Sequence, residues 1–137
     1  MSAAASRRVI APAGAAANTG AYSPGLVVGN LVFVSGQGPL DPVSGSIVGA
    51  TIEEQTELTL RNVGAILAAA GASLADVVKS TVHIADMAQW SRFDAVYRRS
   101  FAAPFPTRTT VQSVLWGGIL VEIDVIAVID RGTGKDL

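Results

Sequence analysis

Hydrophobic positions change their period several times along this chain, and each change marks a predicted element. The stretch SPGLVVGNLVFVSG predicts two strands joined at Gly29 and Asn30, a dipeptide typical of tight hairpins. The second strand, from Leu31 to Ser35, is almost wholly apolar, as is typical of a strand covered on both faces. The segment GQGPLDPVSGS that follows is rich in turn residues and predicts a loop.

Two helices are predicted after this loop. The first begins with a capping box, in which Thr51 precedes Glu54 by three positions, and it ends before Gly71. Its inward stripe recurs at helical spacing and consists of Ile52, Thr56, Thr59, Val63, Ile66, Leu67 and Ala70. The second helix spans about residues 87–101, with Asp86 as its cap. Its aromatic stripe, which we interpret as core rather than as a cofactor site, consists of Trp90, Phe93, Tyr97 and Phe101.

Three further strands complete the pattern. VVKSTVHIAD lies between the helices, and TRTTVQSV and ILVEIDVIAVI follow Pro104 and Pro106, which end the second helix. The order predicts an α+β domain with two helices on one face of a mixed sheet. We expect one domain at residues 9–130, a flexible tail at residues 1–8 and a second tail at residues 131–137.

Composition narrows the possible functions. Charged residues make up 15% of the 137 residues, against about 25% in a typical domain. This predicts surface hidden between subunits, although an Ala- and Gly-rich composition is the simpler alternative. The net charge of −1 argues against nucleic-acid binding. No run of 18 apolar residues predicts a membrane span, no signal-peptide pattern is present, and the absence of cysteine is compatible with the cytoplasm.

An arginine in the stretch FPTRTTV is the main candidate for binding chemistry. Arg108 opens a strand that the pattern predicts to be buried, and a buried guanidinium needs a partner. Arg108, Thr110 and Gln112 share one strand face, while Glu122 and Asp124 share a face of the last strand. The planar guanidinium suits a substrate carboxylate. An interstrand or intersubunit salt bridge is the structural alternative.

Several other chemistries lack their residues. His83 is the single histidine, and with no cysteine a Cys/His dyad or a zinc cluster cannot form within one chain. No metal site is therefore predicted. The GQGPLD turn lacks the third glycine and the lysine of nucleotide-binding loops.

Three stretches together resemble the RidA/YjgF family of enamine/imine deaminases. They are GAYSPGLVVGNLVFVSGQGPLDPVSGSIVG, IEEQTELTLRNVGAILAAAGASLADVVKSTVHIADM and FPTRTTVQ with LVEIDVIAV, within about residues 9–130. The resemblance implies a chorismate-mutase-like fold, a homotrimer with ligand clefts between subunits and a reaction without a cofactor. That reaction is hydrolysis of 2-imino acids and their enamines, such as 2-iminobutanoate and 2-aminoacrylate, to 2-keto acids and ammonia.

The same resemblance assigns roles to particular residues. Arg108 matches the arginine that binds the substrate carboxylate, and Glu122 matches the glutamate that holds and activates a water. Tyr22 matches a tyrosine that lines the cleft. Ser35 and Gly36 match a pair that contacts the ligand through hydroxyl and backbone groups.

This chain departs from the family pattern at the expected cleft. Ala21 and Pro24 replace the usual Pro and Gln around the tyrosine, and Thr110, expected to contact substrate, stands where several members have Cys. Asp94 stands where many members have Asn, and it would repel an anion unless it faces away or pairs with an arginine. Trp116 lies in a shorter loop, where it reshapes the rim or packs on a neighbouring subunit.

Three alternative functions stay open from the sequence. The first is a trimer that binds a small carboxylate without hydrolysing it. The second is a deaminase or reductase of a related, pathway-specific unsaturated or peroxy acid, which the altered rim would suit. The third, endoribonuclease activity, is the least favoured because the chain has one histidine and no basic run.

Overall fold

One mixed sheet organises the chain in the computed structural model, which describes residues 6–16 and 20–129. Its six strands are β1 Arg8–Ile10, β2 Gly25–Val28, β3 Leu31–Gln37, β4 Val77–Ile84, β5 Thr107–Gln112 and β6 Val121–Val128. The helices are α1 Ile52–Ala69 and α2 Trp90–Ser100. The strand order is β1-β2-β3-β6-β4-β5, and among these neighbours β4 and β5 are the parallel pair. The predicted α+β class with a mixed sheet and two helices is confirmed.

Local chemistry explains why α1 begins and ends where it does. The Thr51 hydroxyl accepts from the Glu54 backbone N–H at 3.1 Å, and the Glu54 carboxylate accepts from the Thr51 N–H at 3.2 Å. Gly71 follows the helix with a φ of +74°, a conformation that glycine adopts without strain. The predicted inward stripe of α1 is buried along its whole length. The capping box and the glycine stop are therefore confirmed.

The second helix begins after a short 3-10 turn, Met87–Gln89, which Asp86 caps through its carboxylate. Phe93 and Tyr97 are buried in the core, as the aromatic stripe predicted. Trp90 is 37% exposed and is only partly a core residue.

The two faces of the sheet have different surroundings. Alternate residues of β6, from Val121 to Ala127, are buried beneath the helices. The residues between them, which include Glu122 and Asp124, are only half-buried on the open face. The predicted alternation of β6 is therefore confirmed.

Two strand predictions need correction. The hairpin at Gly29 forms as expected, but β3 is covered on one face only, because Leu31 and Phe33 are 36% and 37% exposed within the chain. The strand that carries Arg108 is not buried. It is the edge strand β5, in which Arg108 and Thr110 are half-buried and the other residues exposed.

The predicted tails fall mostly outside the described residues. Arg8 belongs to β1, a short strand that the sequence pattern did not indicate. The remaining residues described before it are 6 and 7, and the domain boundaries stay predictions. No helix in the described part of the chain is long and apolar enough to cross a membrane.

Candidate functional site

A pocket of about 330 Å³ opens at the sheet edge between α2 and β5. We call it the Arg108 pocket. The rings of Trp90, Tyr97 and Phe105 and the charged groups of Asp94, Arg98 and Arg108 line it. Two guanidinium groups face one carboxylate there, so the lining carries a net positive charge that suits an anion.

Three aromatic rings of α2 contact the Arg108 guanidinium. Its central carbon lies 4.6 Å from the Tyr97 ring centroid, 5.5 Å from Phe93 and 5.6 Å from Trp90. Such contacts attract a cation to the ring faces. The Tyr97 hydroxyl is itself fixed by a 2.6 Å hydrogen bond with the buried Ser80 hydroxyl, and burial raises the pKa of Tyr97, which keeps the phenol protonated. The arginine is therefore oriented before any ligand arrives.

Asp94 completes this arrangement through both of its carboxylate oxygens. Arg108 Nη1 donates to Asp94 Oδ1 at 2.8 Å, and the two side chains are 19% and 16% exposed. Arg98 lies one helical turn later and is largely exposed, and it comes no closer than 3.5 Å to Asp94 Oδ2. Of the two outcomes expected for this carboxylate, the structure shows pairing with arginine. It also shows that the internal partner of Arg108 is Asp94 and not Glu122.

Strand register places Arg108 and Glu122 on opposite faces of the sheet. Arg108 pairs with Ser80, which pairs with the buried Val125 beneath the helices. Glu122 pairs with His83, which lies three positions after Ser80 in β4 and therefore has its side chain on the other face. The Glu122 side chain thus points to the open face. A single protomer therefore does not bring these two candidates together.

A second concavity, of about 380 Å³, lies on the open face between β2, β3 and β6. We call it the Gly36 concavity. A β-bulge sets Ser35 and Gly36 of β3 opposite the single residue Asp124 of β6. The Ser35 hydroxyl donates to the Ser23 carbonyl at 2.6 Å. Gly36 lies against the Glu122 carboxylate, where any Cβ would collide with its oxygen.

The other polar groups of the open face surround Glu122. Burial raises the pKa of Asp124, while the charges of His83 and Lys79 act in the opposite direction. His83 Nδ1 shares a 2.8 Å hydrogen bond with the Ser113 hydroxyl. Among the described residues Glu122 itself has no hydrogen bond or ion pair, so its carboxylate is available to a water or a ligand.

The remaining candidates lie apart from one another in the protomer. Thr110 pairs with Val82 and shares the helix-side face with Arg108. Tyr22 is 51% exposed in the loop before β2. Trp116 is 60% exposed at the far end of β5, in the short turn Trp116–Gly118.

Sequence reasoning did not identify the cluster that holds Arg108. It treated the α2 aromatic residues as core only, and it left open whether Asp94 faces the arginine. A usable signal was present, because Trp90, Asp94 and Tyr97 recur at spacings of four and three on one helix side.

Comparison with known proteins gives concordant matches across nearly the whole chain. The model of a family described as endoribonuclease L-PSP matches residues 13–129. A RutC family protein of Saccharolobus solfataricus is 46% identical over 109 residues, which are 79% of this chain and 86% of that protein. The 2-iminobutanoate/2-iminopropanoate deaminase of Capra hircus is 41% identical over 123 residues, covering 89% of this chain and 90% of the relative.

Solved structures agree with these relatives. The E. coli TdcF structure with bound serine superposes with a TM-score of 0.82 at 36% identity, covering 90% of this chain and 99% of TdcF. The fold, the family model and the relatives point the same way. The chain belongs to the RidA/YjgF family, whose family model is described as endoribonuclease L-PSP.

Proposed function

We propose that this protein is a cofactor-independent deaminase that hydrolyses small 2-imino acids and their 2-enamine tautomers to 2-keto acids and ammonia. Relatives at 37% to 41% identity are named 2-iminobutanoate/2-iminopropanoate deaminases, which supports deaminase function at the level of the family. The observation that carries the proposal for this chain is the oriented Arg108 guanidinium in a pocket of net positive charge. We propose the cytoplasm as its location.

Arg108 is the group that binds the substrate carboxylate. Among the described residues, Asp94 uses one of the five N–H donors of Arg108, and the others remain for a carboxylate that enters the pocket. Because Tyr97 and Asp94 already fix the guanidinium, binding loses little side-chain entropy. The carboxylate then fixes where the reacting carbon lies.

Glu122 is the proposed general base for the attacking water. The water oxygen bonds to the electrophilic iminium carbon, and Glu122 takes one proton from that water. Protonated Glu122 returns this proton to the nitrogen of the resulting carbinolamine, the C–N bond breaks to release ammonia, and the carbonyl of the 2-keto acid forms as the hydroxyl proton passes to Glu122. Such a base contributes about 10²–10⁴-fold to the rate.

A homotrimer is the proposed way to bring the two groups together. Arg108 and Glu122 face opposite sides of the sheet, so a cleft between two protomers must supply one residue from each. A ring of three copies related by a threefold axis repeats the same cleft three times. Exposed Leu31 and Phe33 on the open face, and the low charge fraction of 15%, support such burial. Tyr22, Ser35, Gly36 and Thr110 are proposed to line the same cleft.

The test measures ammonia and keto-acid release from freshly generated 2-aminoacrylate and 2-iminobutanoate. We expect the wild-type protein to accelerate release over buffer, and Arg108→Ala to lose about 10²-fold in kcat/KM because charge-assisted hydrogen bonds are removed. Arg92→Ala is the matched control, since Arg92 also pairs with a carboxylate but lies on the surface with Glu53.

Each contrary result has a distinct meaning. Wild-type release no faster than buffer contradicts deamination of these acids. If the wild type still binds 2-oxobutanoate through Arg108, the result favours a trimer that only binds carboxylates, or an enzyme for a related acid. If the wild type cleaves RNA and Arg108→Ala abolishes this cleavage, the result would favour the endoribonuclease hypothesis.

A further inference from the structure

We propose that Asp94 binds the nitrogen of the substrate and so makes the Arg108 pocket select imino and amino acids over the keto-acid product. This inference rests on the proposed function and names a specificity-determining residue for it. It concerns one carboxylate oxygen, Asp94 Oδ2.

The two oxygens of Asp94 are used unequally. Oδ1 accepts a 2.8 Å hydrogen bond from Arg108 Nη1. Oδ2 has a single 3.5 Å approach from Arg98 among the described residues, and that arginine side chain is 68% exposed. A charge-assisted hydrogen bond between such groups is normally 2.7–2.9 Å long. Oδ2 therefore keeps most of its capacity to accept a donor, and Asp94 belongs to the lining of the pocket.

The geometry of the ligand leads its nitrogen to this oxygen. In a 2-imino or 2-amino acid, the nitrogen is attached to the carbon next to the carboxylate. A ligand whose carboxylate pairs with Arg108 thus holds its nitrogen within a few ångströms of the guanidinium. Asp94 is already at hydrogen-bond distance from that guanidinium. The pair of Arg108 and Asp94 therefore complements a zwitterionic ligand, because Arg108 faces the ligand carboxylate and Asp94 faces the ligand N–H.

The product has the opposite character at this position. A 2-keto acid carries a carbonyl oxygen in place of the nitrogen, so an acceptor faces the Asp94 carboxylate with no hydrogen between them. A ligand that leaves a buried polar group of its binding site without a partner binds weakly. Asp94 therefore favours the protonated iminium, whose carbon is the more electrophilic form, and it promotes release of the keto acid.

The test uses three stable ligands with one carbon skeleton: L-2-aminobutanoate, butanoate and 2-oxobutanoate. Each is titrated by calorimetry into wild type, Asp94→Asn and Glu53→Gln. The last variant makes the same carboxylate-to-amide change in the surface pair with Arg92, outside the pocket. We expect wild type to bind the amino acid about tenfold or more tightly than the keto acid, the size of one hydrogen bond to a charged group.

Asp94→Asn should reduce this ratio to near one, mainly by binding 2-oxobutanoate more tightly, and Glu53→Gln should keep the wild-type ratio. In turnover, Asp94→Asn should become more sensitive to inhibition by 2-oxobutanoate by a similar factor. Arg98→Ala leaves Asp94 Oδ2 without its 3.5 Å neighbour and should keep or increase the preference for nitrogen.

Two results would overturn this inference and leave the carboxylate-binding role of Arg108 intact. One is an unchanged ratio in Asp94→Asn while Arg108→Ala abolishes binding. The other is equal tightening of all three ligands in Asp94→Asn, which would mean that Asp94 only neutralises Arg108. Failure of the wild type to bind any of the three would instead remove the carboxylate-binding role of Arg108, and the inference with it.

Discussion

The two faces of the sheet hold their acidic residues in opposite ways. On the helix side, Asp94 is tied to Arg108 at 2.8 Å and approached by Arg98. On the open side, Glu122 lies against the backbone at Gly36 and has no charged partner among the described residues. In the proposed mechanism, the first face binds the charged ligand and the second supplies the carboxylate that acts on a water. One protomer therefore does not bring Arg108 and Glu122 together, and in our proposal a complete site takes one of them from each of two protomers.

The largest effect on the open face is expected from a change at the contact between Gly36 and Glu122. Gly36→Ala would place a Cβ against the Glu122 carboxylate and force that side chain to move. We expect deaminase activity to fall about 10²-fold, since a displacement of about 1 Å at a reacting group has this effect. Binding of 2-oxobutanoate at Arg108 should change much less.

The control for this prediction is Gly29→Ala at the hairpin, where, its two chain neighbours aside, no described residue has an atom within 4 Å of the new Cβ. Gly29 has a φ of +59°, so this variant reports backbone strain without touching Glu122. Activity of Gly36→Ala equal to wild type would mean that the position of Glu122 does not matter for turnover.

On the helix side, the hydrogen bond that anchors Tyr97 to Ser80 can be removed without changing a charge. Tyr97→Phe keeps the ring under the guanidinium but leaves the buried Ser80 hydroxyl without its 2.6 Å partner. We expect the free energy of unfolding to fall by about 1–3 kcal/mol. The measurement is chemical denaturation followed by fluorescence.

The double variant Tyr97→Phe with Ser80→Ala removes both polar partners and should recover part of that loss. Deaminase KM should stay near wild type, because the cation–ring contact is retained. A large rise in KM with unchanged stability would contradict the view that this hydroxyl serves the fold.

The smallest expected effect concerns Asp124 on the open face. Burial raises its pKa from the usual 3.8. The folded protein therefore keeps this proton at a pH where the unfolded chain has already released it, and stability falls as pH rises from 3.8 through the folded pKa. Asp124→Asn should flatten this part of the stability–pH profile. An unchanged slope in thermal melts across that range would contradict the assignment.

Local chemistry explains which parts of this molecule the sequence could predict. The capping box at Thr51, the glycine at position 71 and the alternation in β6 depend on neighbours within a few residues, and each formed as expected. Two predictions were wrong: that β3 is covered on both faces and that the strand with Arg108 is buried. The side-chain pattern does not show what covers a face of the sheet or which strand lies at its edge. Those features depend on the order β3-β6-β4-β5, which joins distant segments.

The candidate site shows the same limit. Arg108 could be named from its strand, but its partner Asp94 is 14 residues away on a helix, and that contact depends on how α2 crosses the edge of the sheet. Family resemblance supplied Glu122 and Gly36 as candidates, whereas their contact follows from a bulge in β3 that no local motif indicated.

Mixing two inactive variants tests most directly whether the site is shared between protomers. Arg108→Ala and Glu122→Gln proteins are unfolded together in equal amounts, refolded, and assayed for ammonia release. In a ring of three with random assembly, about a quarter of the clefts receive Arg108 from one protomer and Glu122 from its neighbour. We therefore expect about a quarter of wild-type activity from the mixture and almost none from either variant alone.

A second mixture fixes the interpretation. Wild type refolded with the double variant Arg108→Ala/Glu122→Gln should also give about a quarter of full activity if the cleft is shared, but about half if each chain carries a whole site. A quarter in both mixtures is the result that a shared site predicts. No activity in the first mixture, with half in the second, would contradict it.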